Sequence, residues 1–207
     1  MENYENLSIT INELTKDYGK EKGIHGISTV FEPGKLNIVT GANGSGKSTL
    51  FKCIMGLVNY QGRIIKRKLR IGYAPEEYIM PLGMSVEDFL WSIGKIKGLS
   101  SEVLDENLEI YLDFFGLKQY RKRPIAQLSH GMRQKVNLVQ AFVHEPRIIL
   151  LDEPLTGLDI DTIPRLISLL KEKAKTRLVV ITTHNLQLFR FKEKTLYKIV
   201  EGRLDVG

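Results

Sequence analysis

The sequence is poor in cysteine and has no long hydrophobic run. Its 207 residues include a single cysteine, Cys53, so a disulfide within the chain is excluded and we expect this thiol to fill a packed core. No apolar stretch approaches the roughly 18 residues that a membrane-spanning helix needs. Residues 1–5 also lack the basic and then apolar pattern of a secretion signal. We therefore expect a globular chain in the cytoplasm.

Charge is plentiful, but it does not by itself select a partner. The chain carries 30 Lys and Arg against 24 Asp and Glu, which gives a net charge of +6. A basic balance suits a polyphosphate, an acidic membrane surface or nucleic acid, and it also suits a merely well-solvated surface. Hydrophobic residues make up 43% of the chain, which is enough for one domain with a sizeable core.

The most specific pattern is a glycine-rich loop between a predicted strand, Leu36–Thr40, and a predicted helix. Backbone N–H groups and the positive helix end bind phosphate in such loops. We predict that Lys47 reaches the β- and γ-phosphates, that Ser48 contacts Mg²⁺, and that Thr49 helps to hold the phosphate end. The residues that fit the pattern G-x-x-x-x-G-K-[ST] are Gly41, Ala42, Asn43, Gly44, Ser45, Gly46, Lys47, Ser48 and Thr49.

Acidic residues follow the apolar run Ile148–Leu151, which is typical of a buried parallel strand. Asp152 is predicted to hold Mg²⁺ opposite Ser48, and Glu153 to polarise the water that attacks the γ-phosphate. His184 follows the next apolar run, at 178–181. It can donate a hydrogen bond to the γ-phosphate or be an ordinary surface or core histidine. The acidic pair and the glycine-rich loop together predict a nucleotide hydrolase.

A second anion site is predicted where residues 128–131 lead into a helix at 132–142. Ser129 and Gly131 lie at the positive end of this helix, which favours a phosphate. A plain serine cap explains Ser129 equally well when it is considered alone.

The alternation of strands and helices predicts an α/β fold, a P-loop NTPase core with a mainly parallel sheet. Extended stretches around 8–12 and 27–31 predict an antiparallel β subdomain near the N-terminus, and 62–70 is typical of a further strand pair. We expect one domain over 1–207. Its nucleotide-binding core would comprise 1–76 and 128–207, with an α-helical subdomain inserted at 77–127.

Taken in order, these motifs resemble the ATPase subunit of ATP-binding-cassette (ABC) transporters. The resemblance covers nearly the whole chain and implies ATP and Mg²⁺ as ligands. It also implies a second ABC ATPase subunit packed head to tail, so that the Ser129 clamp of one chain caps the ATP of the other. Asp159 would lie in a loop that faces the partner. The motifs are the glycine-rich loop and residues 73–76, 128–132, 148–153, 157–159 and 184.

The resemblance also implies that adenine stacks on Tyr18, although an ordinary turn tyrosine is the alternative. Glu76 stands where the family commonly has glutamine. Its carboxylate can still bind Mg²⁺ or orient water, with a metal affinity that depends more strongly on pH. His130 and Met132 replace residues that are frequently Gly and Gln. These departures resemble variants found in exporter-type subunits.

A transporter function requires a separate transmembrane permease subunit, which would hold this chain at the cytoplasmic face of the membrane. The apolar stretch 78–84 is a candidate docking surface, and we hypothesise that Tyr78 and Met80 contact the permease, although these residues can equally fill the core of the helical subdomain.

The alternative function is a soluble ABC ATPase that acts on nucleic acid or a protein assembly. We expect no nucleic-acid binding, because the basic clusters lack interleaved aromatic residues. These clusters are Lys66, Arg67, Lys68 and Arg70, and Lys118, Arg121, Lys122 and Arg123. A P-loop kinase or GTPase finds no support in a guanine-reading motif or an acceptor lid.

Overall fold

The computed structural model describes residues 7–19, 22–67 and 69–205. The chain divides into two units: unit 1 is built from segments 1–69 and 167–207, and unit 2 from segment 70–166. None of the described helices is long and apolar enough to cross a lipid bilayer. An inserted helical subdomain at 77–127 is expected from the sequence, and neither unit has these bounds. This subdomain therefore stays a prediction.

Unit 1 begins with a three-stranded antiparallel sheet. Strands β1 (Ile9–Asp17), β2 (Gly23–Phe31) and β4 (Gln61–Ile65) are arranged in the order β2-β1-β4. This confirms the antiparallel subdomain. The strand pair predicted at 62–70 is wrong, because β4 pairs with β1 and is the single strand among the described residues of that stretch.

The second sheet of unit 1 carries the strand that leads into the glycine-rich loop. Strand β3 (Leu36–Thr40) lies between β7 (Leu178–Thr182) and β8 (Lys194–Val200), parallel to both, and β9 (Arg203–Asp205) pairs antiparallel with β8. All of β7 and most of β3 is buried, which accounts for their continuous apolar sequences. Helix α1 (Lys47–Met55) follows the loop.

The core of unit 1 contains one buried polar hub and the single cysteine. The side-chain amide of Asn37 donates to the carbonyls of Glu32, Lys35 and Val179, and its oxygen accepts from the Tyr197 hydroxyl. Cys53 is 1% exposed, and burial raises the pKa of its thiol to about 11. The expected core position of Cys53 is confirmed.

Unit 2 combines a parallel strand pair with helices that begin at serine caps. Strand β5 (Ile71–Ala74) pairs with β6 (Ile148–Leu151). The helices are α2 (Val86–Ile96), α3 (Ser101–Phe114) and α4 (His130–Phe142), and α5 (Thr162–Ala174) contains the boundary with unit 1. The hydroxyls of Ser85, Ser100 and Ser129 accept hydrogen bonds from backbone N–H groups of the first turns. The predicted α/β fold is confirmed.

Candidate functional site

The glycine-rich loop of unit 1 has a backbone that only glycine can follow at its tightest point. Gly46 has a φ of 111°, and a Cβ added there would lie 2.5 Å from Ile24 Cγ2 and 2.9 Å from the Gly23 carbonyl oxygen. The next residue, Lys47, begins α1. The N-terminus of a nine-residue helix therefore opens directly onto the loop, and its N–H groups favour an anion there.

Two polar side chains of the loop, those of Lys47 and Ser45, are positioned so that they can bind phosphate. The Lys47 ammonium group, on a residue that is 6% exposed, donates to the carbonyls of Gly41 and Ala42 at 3.0 and 3.2 Å. Ser45 Oγ is buried and finds no hydrogen-bond partner among the described residues. A bound phosphate would satisfy this buried hydroxyl. Ala42, Asn43 and Gly44 are exposed, whereas Ser48 and Thr49 are half-buried in the first turn of α1.

Two further predicted residues belong to unit 1. Tyr18 follows β1 and is 52% exposed, with Lys16 Nζ 4.8 Å from its ring centroid. His184 follows β7 and is exposed, and its Nε2 lies 3.1 Å from Asn185 Nδ2. The N–H of Thr183 donates to the carbonyl of Val39 at 3.0 Å. Strands β3 and β7 are parallel, so His184 and Gly41 leave the sheet at the same edge, where ligands bind in such folds.

The acidic residues lie together in unit 2. Asp152 and Glu153 are 2% and 4% exposed, and the N–H of Asp152 donates to the Ala74 carbonyl at 2.8 Å. This bond ties the end of β6 to the end of β5, two residues before the exposed Glu76. Glu153 has a φ of 45°, a left-handed backbone that costs energy for a residue with a side chain and is common at functional sites.

Side-chain amides of α4 hold the loops that carry these carboxylates, a feature that the sequence analysis missed. The Asn137 amide donates to the Pro75 carbonyl at 2.9 Å, and that of Gln140 to the Tyr73 carbonyl at 2.6 Å. Gln134 reaches the Pro154 carbonyl at 3.5 Å. The sequence does contain a signal for these contacts, because amide side chains recur at every third position of α4 among apolar residues and so lie near one another on the helix.

The N-terminus of α4 combines a serine cap with a close backbone contact. Ser129 Oγ accepts from the N–H of Met132 at 3.2 Å, so the helix begins at His130 rather than at the predicted 132. Ser129 and His130 are exposed. A Cβ added to Gly131 would lie 2.6 Å from the Gly157 carbonyl oxygen. A glycine is therefore required there, which a plain serine cap does not explain.

Asp159 is engaged within its own chain. Its carboxylate accepts from the N–H and hydroxyl of Thr162 at 2.9 and 2.8 Å, and it pairs with Lys135 Nζ at 2.6 Å. The hydrogen bond from Lys135, followed by that from the Thr162 hydroxyl, holds the pKa of Asp159 below its usual range. The structure thus ties α4 to the start of α5 through this loop.

The predicted docking stretch forms part of a groove in unit 2. The groove encloses about 350 Å³. Met80 is 8% exposed and packs in the core, which agrees with the alternative that this stretch fills the helical subdomain. Ile79 is fully exposed and Leu82 half exposed. The groove is lined by Glu76, Glu77, Tyr78, Met80, Leu82, His130 and Arg133.

Three residues of the second basic cluster form ion pairs within the chain, and one of the first contacts a backbone carbonyl. Arg121 and Lys122 form ion pairs with Glu87, and Lys118 pairs with Glu109. Lys66 Nζ contacts the carbonyl of Ile54, and Lys68 lies outside the described residues. The second cluster is therefore neutralised by neighbouring carboxylates, which weakens the alternative of nucleic-acid binding.

Most of the chain is similar to known proteins in sequence and in fold. A family described as ABC transporter matches residues 24–156. The uncharacterized ABC transporter ATP-binding protein YhaQ of Bacillus subtilis is 32% identical over 79% of this chain, which spans 57% of that protein. The uncharacterized ABC transporter ATP-binding protein MJ1023 of Methanocaldococcus jannaschii is 31% identical over 86% of this chain and 69% of its own length.

A solved structure described as the ATP binding subunit of an ABC transporter superposes with a TM-score of 0.87. It is 28% identical, and the match covers 95% of this chain and 87% of that one.

Proposed function

Because the chain belongs to the ABC transporter family of ATP-binding proteins, we propose that it binds and hydrolyses ATP to drive a separate membrane subunit. The observation that carries the proposal is the phosphate loop of unit 1. Lys47 curls over the loop, Ser45 offers a buried hydroxyl that has no hydrogen-bond partner among the described residues, and α1 directs its N-terminus at the same place. Each of these features favours a bound phosphate.

Within this proposal the loop residues hold the triphosphate and Tyr18 carries the base. The N–H groups of residues 41–49 bind phosphate oxygens, and Lys47 exchanges its carbonyl partners for the β- and γ-phosphates. The exposed ring of Tyr18 stacks on adenine. His184, exposed at the edge where β7 ends, donates to the γ-phosphate.

Hydrolysis is assigned to the carboxylates of unit 2. Glu153 accepts a proton from the attacking water, and its buried position at the end of β6 fixes the direction of its carboxylate. The oxygen donors of Ser48, Asp152 and Glu76 suit Mg²⁺, which when bound supplies positive charge to the phosphate oxygens. The described residues contain no cluster of three or more His, Cys, Asp or Glu side chains for a metal.

The exposed N-terminus of α4 supports a dimer held together by ATP. Ser129 and Gly131 would contact the γ-phosphate of ATP bound to a second copy of the chain or a related cassette, with the free hydroxyl proton of Ser129 as donor. Loss of the γ-phosphate on hydrolysis removes this link, so the dimer opens and the chemistry is coupled to movement.

The decisive experiment compares Glu153→Gln with Lys47→Ala. Glu153→Gln should bind ATP, hydrolyse it at least about 100-fold more slowly, and accumulate as an ATP-bound dimer in size-exclusion chromatography. Lys47→Ala should lose ATP affinity. Glu106→Gln, which removes an exposed carboxylate of the same unit, serves as the matched control. Near-normal turnover by Glu153→Gln would show that another group is the base.

The groove next to Glu76 is proposed to receive the permease, which holds the chain at the cytoplasmic face of the membrane. Leu82 lines this groove and is half exposed, and Ile79 in the same stretch is fully exposed, whereas Met80 supports the fold. Ile79→Asp with Leu82→Asp should therefore abolish co-purification with the membrane subunit while ATP binding persists. Ile110→Asp, at a 56% exposed apolar position on α3, is the control. Unchanged co-purification of the double variant would refute this docking surface.

A further inference from the structure

The turn between β8 and β9 is attached to the phosphate loop. Its two residues, Glu201 and Gly202, have φ values of 47° and 74°, as in the tight hairpin turns that need left-handed residues. The N–H of Gly202 donates to the Ser45 carbonyl at 3.1 Å, and its carbonyl accepts from the N–H of His25 at 2.8 Å. A Cβ on Gly202 would lie 2.7 Å from the Gly23 carbonyl oxygen. The side chains that flank Gly202 are thereby fixed beside the phosphate loop.

These flanking side chains line a polar cleft of unit 1. The cleft has a volume of about 690 Å³ and is lined by Asp17, His25, Gly44, Glu201 and Arg203. It thus runs from the exposed tip of the phosphate loop at Gly44 to Asp17, the neighbour of Tyr18. A nucleotide with its phosphates on the loop and its base on Tyr18 has only its sugar left to place between them.

The two carboxylates of the cleft differ in what already engages them. Asp17 Oδ1 accepts from the N–H of Gly19 at 2.6 Å and so shapes the turn that carries Tyr18. The Glu201 carboxylate makes no hydrogen bond or ion pair with the described part of the chain. Carboxylates are common acceptors for ribose hydroxyls in nucleotide sites. Resting on the proposed ATP site, we propose that Glu201 accepts hydrogen bonds from the ribose hydroxyls and makes the site selective for a nucleotide whose sugar carries both hydroxyls.

The test measures the affinity of the full chain for ADP, 2′-deoxy-ADP and 3′-deoxy-ADP by calorimetry, since ADP avoids both turnover and ATP-driven dimerisation. The wild-type chain should bind ADP about 5- to 20-fold more tightly than at least one deoxy analogue, as expected for a hydrogen bond to a charged acceptor. Glu201→Gly, which suits the left-handed backbone at this position, should reduce this ratio to less than about twofold.

Glu106→Gln, which removes an exposed carboxylate on α3, should keep the wild-type ratio. Glu201→Gln retains the side-chain length and should give an intermediate ratio. Equal affinities of the wild-type chain for all three nucleotides would overturn the inference while the ATP site stands, and so would a ratio that survives Glu201→Gly. Failure of the wild-type chain to bind ADP at all would instead contradict the proposed function.

Discussion

His144 links α4 to β6 and makes the stability of the fold depend on pH. It is 3% exposed, and burial, assisted by the positive charges of Lys97 and Arg70, lowers its pKa from 6.5 to about 4. The folded chain therefore keeps this imidazole neutral at pH values where the unfolded chain protonates it. We expect the free energy of unfolding to reflect this difference.

The sign and size of the effect follow from the two pKa values. Between pH 6.5 and about 4 the unfolded state binds one more proton at His144 than the folded state does, so stability increases with pH. The contribution is fully present above pH 6.5 and is lost as the pH falls toward 4. A shift of this size corresponds to at most about 3 kcal/mol.

Urea unfolding of the nucleotide-free chain at pH 7.5, 6, 5 and 4.5 measures the loss, with the assay conditions chosen to span about two pH units below the pKa of a free histidine. The wild-type chain should lose about 2 kcal/mol more across this range than His144→Asn, which has no proton to gain. His130→Asn retains His144 and should keep the wild-type slope. Equal slopes for wild type and His144→Asn would refute the assignment, because other groups would then carry the pH dependence.

Three other substitutions test separate parts of the structure. Glu87→Ala removes the 2.6 Å partner of Arg121, which keeps Asp105 and Glu109 at 3.5 and 3.6 Å, and should lower the free energy of unfolding by about 1 to 2 kcal/mol in urea, whereas Glu106→Ala at an exposed position of α3 should change it little. Asn37→Leu removes the amide that donates to three carbonyls, while the Tyr197 hydroxyl keeps the Val30 carbonyl at 3.0 Å, and should cost about 2 kcal/mol in the same assay; an unchanged value would mean that water replaces the amide. Gly131→Ala forces a Cβ to within 2.6 Å of the Gly157 oxygen, so ATPase activity should fall at least about tenfold while ADP affinity persists; full activity would show that this contact gives way freely.

Local signals allowed the phosphate loop to be predicted, and the start of α4 to within two residues. Strand β3 has the predicted bounds, because its apolar run ends at the first glycine of the loop. The candidate serine cap at Ser129 begins α4, since a hydroxyl that accepts from a first-turn N–H acts within a few residues. The burial of β6 and β7 was also predicted, because a continuous apolar run is typical of a strand that is covered on both faces.

Features that depend on distant partners could not be predicted in this way. Strand β4 pairs with β1 across a long sequence separation, and no local pattern selects that partner over a neighbouring strand. The attachment of the β8–β9 turn to Ser45 likewise depends on tertiary placement. The left-handed backbone of Glu153 could not be predicted either, because glycine and asparagine are the residues that usually indicate this conformation.

Helix α4 connects three parts of the proposed site within unit 2. Its first turn presents Ser129, while Asn137 and Gln140 bond to the backbone that precedes Glu76. Gln134 reaches Pro154, next to Glu153, and Lys135 holds Asp159. A helix moves nearly as a rigid rod, so a phosphate that draws in its N-terminus must also shift the loops that carry Glu76 and Glu153, or stretch these bonds. We therefore expect binding at the exposed serine and the placement of the proposed hydrolytic carboxylates to be coupled through these amides.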